Sequence, residues 1–134
     1  MRIAILICLL VLTALPAVAK EPQQRIDGIY SDLRRSKETD DLDGTEIIII
    51  GRYSRYFAFY QFWEGGSLPP VAVPVAVSGN HISFSVPASS GECGYYEGTI
   101  SARGFDGSCT IPHPSDSTKE VKIHIPRVTK SFWQ

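Results

Sequence analysis

The chain has 134 residues, 43% of them hydrophobic, with 13 Lys and Arg against 14 Asp and Glu for a formal net charge of −1. A charge this small leaves no basic footprint for nucleic acid or an anionic membrane surface. The length suits one domain with a modest core and is too short for two.

At the N-terminus Arg2 precedes an almost unbroken apolar run from Ile3 to Leu15, and Ala17-Val18-Ala19 places small residues where a signal peptidase reads them. This predicts a cleavable signal peptide over residues 1–19 and a single mature domain over 20–134, destined for the periplasm or the extracellular space. A spanning helix would need roughly 20 apolar residues, and Pro16 and Lys20 stop the run short of that, so no membrane span is expected in the mature chain. Cys8 lies inside the apolar run and not at its end, so no lipid anchor is expected either.

Along the mature chain the recurring pattern is alternation of apolar with polar or small residues, the signature of half-buried strands. Ile26, Ile29, Tyr30 and Leu33 fit either a helical stripe or a short strand, and Gly28 with Ser31 tips the reading toward strand. Asp40 to Gly44 reads as a turn leading into Thr45–Gly51, whose four consecutive isoleucines suggest a strand covered on both sides. The aromatic stretch Arg55–Glu64 is read the same way. Pro70 to Val77 places its valines on one face, with Pro74 arguing for an edge strand or a bulge. Ser78-Gly79-Asn80 turns the chain into a strand carrying Ile82, Phe84 and Val86 on one face. Tyr95–Ala102 and Phe105–Ile111 form the next pair, and Val121, Ile123 and Ile125 mark the last strand.

Cys93 and Cys109 are the two cysteines of the mature chain, and an oxidising compartment favours their pairing as a disulfide. A hairpin centred near Gly104 sets Cys109 opposite Thr99, so the bond requires the loop at Ser89–Glu92 to fold back. Two cysteines 16 residues apart lack the close paired spacing of zinc sites.

About eight strands with short connections predict an all-β antiparallel up-and-down meander, closed or partly open as a barrel, with a sandwich as the alternative. Closure would remove the long hydrophobic edges of the isoleucine and aromatic strands. Gly28-Ile29-Tyr30, Asp43-Gly44-Thr45-Glu46, Tyr96-Glu97-Gly98-Thr99-Ile100 and the terminal Ser131-Phe132-Trp133-Gln134 resemble small exported bacterial proteins with a calycin-like (lipocalin- or avidin-like) barrel. The resemblance implies a fold and no catalytic residue.

No motif for enzyme chemistry is legible. Nucleophilic catalysis needs a serine or cysteine beside a base held by a third group, and there is no Gly-x-Ser-x-Gly elbow. His81, His113 and His124 have no spacing that joins them as metal ligands, and the acidic run Asp40–Glu46 departs from a calcium loop, with Ile50 where a closing glutamate is needed. Neither a metal nor a cofactor is expected. The aromatic strand is the candidate for binding: one face carries Phe57, Phe59 and Trp63 with Arg55, the other Tyr56, Tyr60 and Phe62. Arg55, Tyr56, Tyr60 and Trp63 are the candidate contacts for a small apolar ligand or a partner protein. The leading reading is a non-catalytic exported binding barrel. The alternative is an inhibitor of a hydrolase acting through the disulfide-braced loop Ser89–Glu92, and a hydrolase comes third.

Overall fold

A computed structural model describes residues 24–112 and 117–132. Its elements are strands β1 (Gly28–Ser31), β2 (Arg34–Arg35), β3 (Leu42–Arg52), β4 (Arg55–Glu64), β5 (Gly66–Ser67), β6 (Val71–Ser78), β7 (His81–Ser85), β8 (Tyr95–Ile100), β9 (Gly104–Pro112) and β10 (Thr118–Val128), with a 3₁₀ turn at Ala88–Ser90. Eight of them pair antiparallel in the order β1, β3, β4, β6, β7, β8, β9, β10, and β10 returns to β1 to close a barrel. The two-residue strands β2 and β5 extend the edges of β3 and β4. The expected meander therefore closes, in a form compatible with a calycin-like fold.

The register sorts each alternating strand into an inner and an outer row. Tyr30 pairs with Ile47, Ile49 with Ala58, Tyr60 with Val71, Phe84 with Tyr96, Cys109 with Val121 and Phe105 with Ile125, and each of these side chains points inward. Inside, Tyr30, Ile47, Ile49, Ala58, Tyr60, Ile82, Ile100, Phe105 and Ile125 are nearly inaccessible to water. Ambiguity over residues 26–33 resolves as a strand because Tyr30 then drops into this core while Ile29 faces out beside Ile48.

Four sequence expectations change. Neither β3 nor β4 is fully covered on its second side: Ile50, Phe57 and Phe59 on the outer row are each about half exposed, at 51%, 47% and 48%. Strand β3 begins at Leu42, so Asp43 and Gly44 belong to the ladder and the turn lies earlier, around Lys37–Asp40. Strand β6 is not an edge, since it pairs with β4 from Val71 to Val75 and with β7 from Ala76 to Ser78. Pro74 is tolerated because the β7 ladder begins only at Ala76, beyond the position whose N–H is missing. Finally, the β8–β9 hairpin pairs Ile100 with Phe105 and sets Cys109 opposite Tyr96, not Thr99. Cys93 is then only three residues from the paired position, and the disulfide spans a Cα separation of 5.7 Å.

One end of the barrel is sealed by Arg127. Its guanidinium lies over the Tyr30 ring at 5.0 Å, donates to the Tyr30 hydroxyl, and donates to the carbonyls of Arg25 and Asp27 in the segment leading into β1. Tyr30 in turn donates to the Ile26 carbonyl at 2.6 Å, and Ile26 is buried beneath the strand ends. On the outside wall, the segment after β10 folds back across β3 and β4. Ser131 donates its hydroxyl to Glu46 Oε1 at 2.6 Å, Phe132 donates its N–H to Oε2 at 3.0 Å, and the Phe132 ring meets Trp63 edge-on at 5.9 Å. This explains how an outward-facing glutamate is 3% exposed: both of its oxygens are satisfied by the returning chain.

Candidate functional site

The opposite end is open. A cavity of about 200 Å³ enters the barrel there, lined by Thr45, Tyr60, Phe62, Tyr96, the disulfide, Ile111, Val121, Ile123 and Ile125, with Asp32 and Glu92 at the rim. Its origin is in the row parity: Thr45 and Phe62 lie toward one end of the inner rows of β3 and β4, and Ile111, Val121 and Ile123 toward the same end of those of β9 and β10. These three β9 and β10 side chains are half-buried: they pack against the core and leave the rest of their apolar surface to the cavity.

The floor is aromatic and hydroxylic. Tyr96 stacks on Phe84 with centroids 5.0 Å apart and planes 7° from parallel, and Tyr60 tilts against Tyr96 at 5.5 Å. The phenol oxygens of Tyr60 and Tyr96 are 2.8 Å apart, and the Thr45 side chain lines the cavity with them. Burial pushes both phenols above the usual tyrosine range, and for Tyr96 the neighbouring Tyr60 adds to that shift. For Tyr60 the bonds to Tyr96 and Thr45 oppose burial, while the charges of Asp32 and Glu92 reinforce it. Both rings therefore keep their protons at neutral pH and serve as hydroxyls, not as bases.

The β7–β8 connection forms one lip of this mouth. It is pinned at its neck by the Val86 N–H to the Gly94 carbonyl and the Gly94 N–H to the Thr110 carbonyl, both 2.9 Å. Between those points the Ala88–Ser90 turn leads to Ser90 and Gly91, which are buried. A Cβ on Gly91 would stand 2.5 Å from the Tyr60 hydroxyl, so only glycine lets the loop settle onto that ring. Glu92 follows at the rim, and Cys93 ties the loop to β9 through Cys109. The loop is thus tucked into its own barrel at Ser90 and Gly91.

The four residues singled out from sequence do not converge. Tyr60 lies in the cavity floor. Tyr56 points inward nearer the sealed end, beside Gly51 and the Arg25–Asp27 segment. Trp63 is on the outer wall under Phe132, and Arg55 is exposed at the β3–β4 turn opposite Arg52. The four come from both faces of β4, and only its inner row reaches the cavity. Asp32, Thr45, Glu92 and Tyr96 were missed, because their convergence depends on which strand neighbours which. His81 and His124 lie on the outer surface, paired with Glu97 at 3.0 Å and Asp106 at 2.6 Å, while His113 is outside the described residues. Among the described residues no three His, Cys, Asp or Glu side chains are grouped to hold a metal.

Among the described residues the cavity lining contains no serine, histidine or lysine, and its sulfurs are those joined in the disulfide. Chemically, it can enclose an apolar body and exchange hydrogen bonds at its floor and rim. Comparison of the chain with protein-family models, with curated proteins and with solved structures found no match.

Proposed function

We propose that the mature chain is an exported, non-catalytic binding barrel that takes a small ligand with an apolar body into its open mouth. The observation that carries this reading is the cavity itself: about 200 Å³ with apolar walls and three hydroxyls at its floor. A cavity of ~150 Å³ already accommodates a benzene-sized molecule, so the space suits a compact ligand and not a long lipid. Export is supported by the N-terminal apolar run with its small-residue cleavage pattern, and by the Cys93–Cys109 disulfide. The signal stretch lies outside the described residues, and among those described no helix is long and apolar enough to cross a membrane.

Native mass spectrometry of the protein purified from its host's envelope is the direct test. A small non-covalent mass, lost on denaturation and absent from an Ile123→Trp variant that fills the cavity, is the expected result. Wild-type protein that carries no such mass, and binds no apolar probe when one is supplied, would overturn the reading.

A second reading, a partner protein, draws on the outer wall of β3 and β4, where Ile50, Phe57 and Phe59 leave large apolar side chains half exposed. Inhibition through Ser89–Glu92 has weaker geometric support, since Ser90 and Gly91 are turned inward.

A further inference from the structure

We propose that the cavity selects a protonated amine carried on a short apolar body, an inference that rests on the binding-barrel reading above. The argument begins with hydrogen-bond accounting. Thr45, Tyr60 and Tyr96 together bring three hydroxyl protons and six oxygen lone pairs to the floor. Bonds within the cluster consume protons and lone pairs in equal number, so acceptor capacity remains once the protons are used. Among the described residues the rim adds acceptors only, the carboxylates of Asp32 and Glu92. Among the described residues no Lys, Arg, His, Asn or Gln side chain lines the cavity to supply donors. The site is therefore short of protons, and a ligand that brings several N–H donors corrects that deficit while an anion worsens it.

The carboxylates are also positioned. Asp32 immediately follows β1, and its Oδ1 accepts the Thr45 backbone N–H at 2.6 Å, which holds the side chain against the end of β3. Gly44, one residue earlier, leaves room for this approach: a Cβ there would stand 2.8 Å from the same Oδ1. Glu92 reaches the rim from the disulfide-tied loop. The two carboxylates thus reach the same cavity as the Tyr60 phenol from different elements. Among the described residues neither carboxylate has an ion-pair partner. The rings of Tyr60, Tyr96 and Phe62 also line the cavity, aromatic neighbours that suit an ammonium group, and Ile111, Val121 and Ile123 suit the attached carbons.

The test titrates ¹⁵N-labelled mature protein with n-hexylamine, 1-hexanol and hexanoate, which share an apolar body and differ in the head. Hexylamine should shift the Thr45, Glu92 and Tyr96 amides with an affinity at least about tenfold above hexanol, and hexanoate should bind more weakly than hexanol. The double variant Asp32→Asn/Glu92→Gln, which keeps an oxygen to accept the Thr45 N–H, should lose about tenfold in hexylamine affinity and leave hexanol unchanged. Hexanol binding as tightly as hexylamine, or a double variant that still prefers the amine, would overturn the amine inference while leaving the binding barrel standing. No cavity shift with any of the three probes would overturn both.

Discussion

Replacing Cys93 and Cys109 together by serine should separate the disulfide's global role from its local one. The bond closes a loop of 16 residues, and chain entropy alone then assigns it about 3 kcal/mol. Melting entropy of about 2.1 cal/mol/K per residue over roughly 110 residues converts that to a fall in Tm of about 13 °C. The local effect is distinct. Without the bond, the mouth loop is held by its neck bonds from Val86 to Gly94 and from Gly94 to Thr110, by the Ser90 N–H to the Pro87 carbonyl at 2.9 Å, and by Gly91 against Tyr60. These are few contacts for a segment of this length, so amide exchange between Ser90 and Cys93 should quicken well beyond the change in the β3 and β4 amides. Differential scanning calorimetry reads the first effect, and hydrogen exchange with residue resolution reads the second. A Tm loss under about 3 °C, or loop amides that change only in step with the barrel, would refute the view that the bond both restricts the unfolded chain and clamps the mouth.

Three further outcomes are expected. Arg127→Met keeps the apolar stem but leaves the Tyr30 hydroxyl and the Arg25 and Asp27 carbonyls without their donor, so urea unfolding should show a loss of about 2–3 kcal/mol. Ser131→Ala removes one of the two donors satisfying buried Glu46 and should cost about 1–2 kcal/mol in the same assay, with Phe132 released from Trp63 as a change in tryptophan emission. The β3–β4 turn holds Tyr53 at φ 51° and Ser54 at φ 61°, both in the region that suits Asn-Gly, so the double substitution to Asn and Gly should stabilise by about 1 kcal/mol and raise Tm by several degrees.

The fold was legible because alternation recurs on nearly every strand and survives closure. Val71, Val73, Val75 and Val77 had to share a face, and a barrel interior is a place that uses all four. Legibility failed where the outer row was concerned. Ile47 to Ile50 look equally apolar, yet Ile47 and Ile49 fill the core while Ile50 stands half in water, and periodicity alone does not say which side another element will cover. Trp63 illustrates the same limit from the other direction, since what buries it is Phe132, nearly 70 residues away in the chain. The cavity was legible only in part for a related reason. Tyr60 stood out as an aromatic with a polar tip, but Tyr96 meets it through the closure order β4, β6, β7, β8, and Asp32 and Glu92 reach the rim from connections outside the barrel strands.

Alkaline titration joins the core and the site in one measurable quantity. Tyr30, Tyr60 and Tyr96 all have phenols raised by burial, with Arg127 partly opposing that effect at Tyr30. In the unfolded chain each would ionise near pH 10, so above that pH the folded state binds more protons than the unfolded state. The slope of unfolding free energy against pH is then negative: the contribution is fully present below about pH 10 and is lost as pH rises toward the folded-state values. Each such group contributes up to about 1.4 kcal/mol per pH unit in that window. Tyr96→Phe removes one of these groups and should flatten the alkaline decline by that amount. It also deletes one hydroxyl from the floor cluster, costing about 1 kcal/mol at neutral pH. Urea unfolding of both proteins from pH 8 to pH 11 measures the two effects separately. A variant whose stability falls as steeply as the wild type above pH 10 would place the Tyr96 hydroxyl in contact with water, and the enclosed floor on which ligand selection depends would then have to be abandoned.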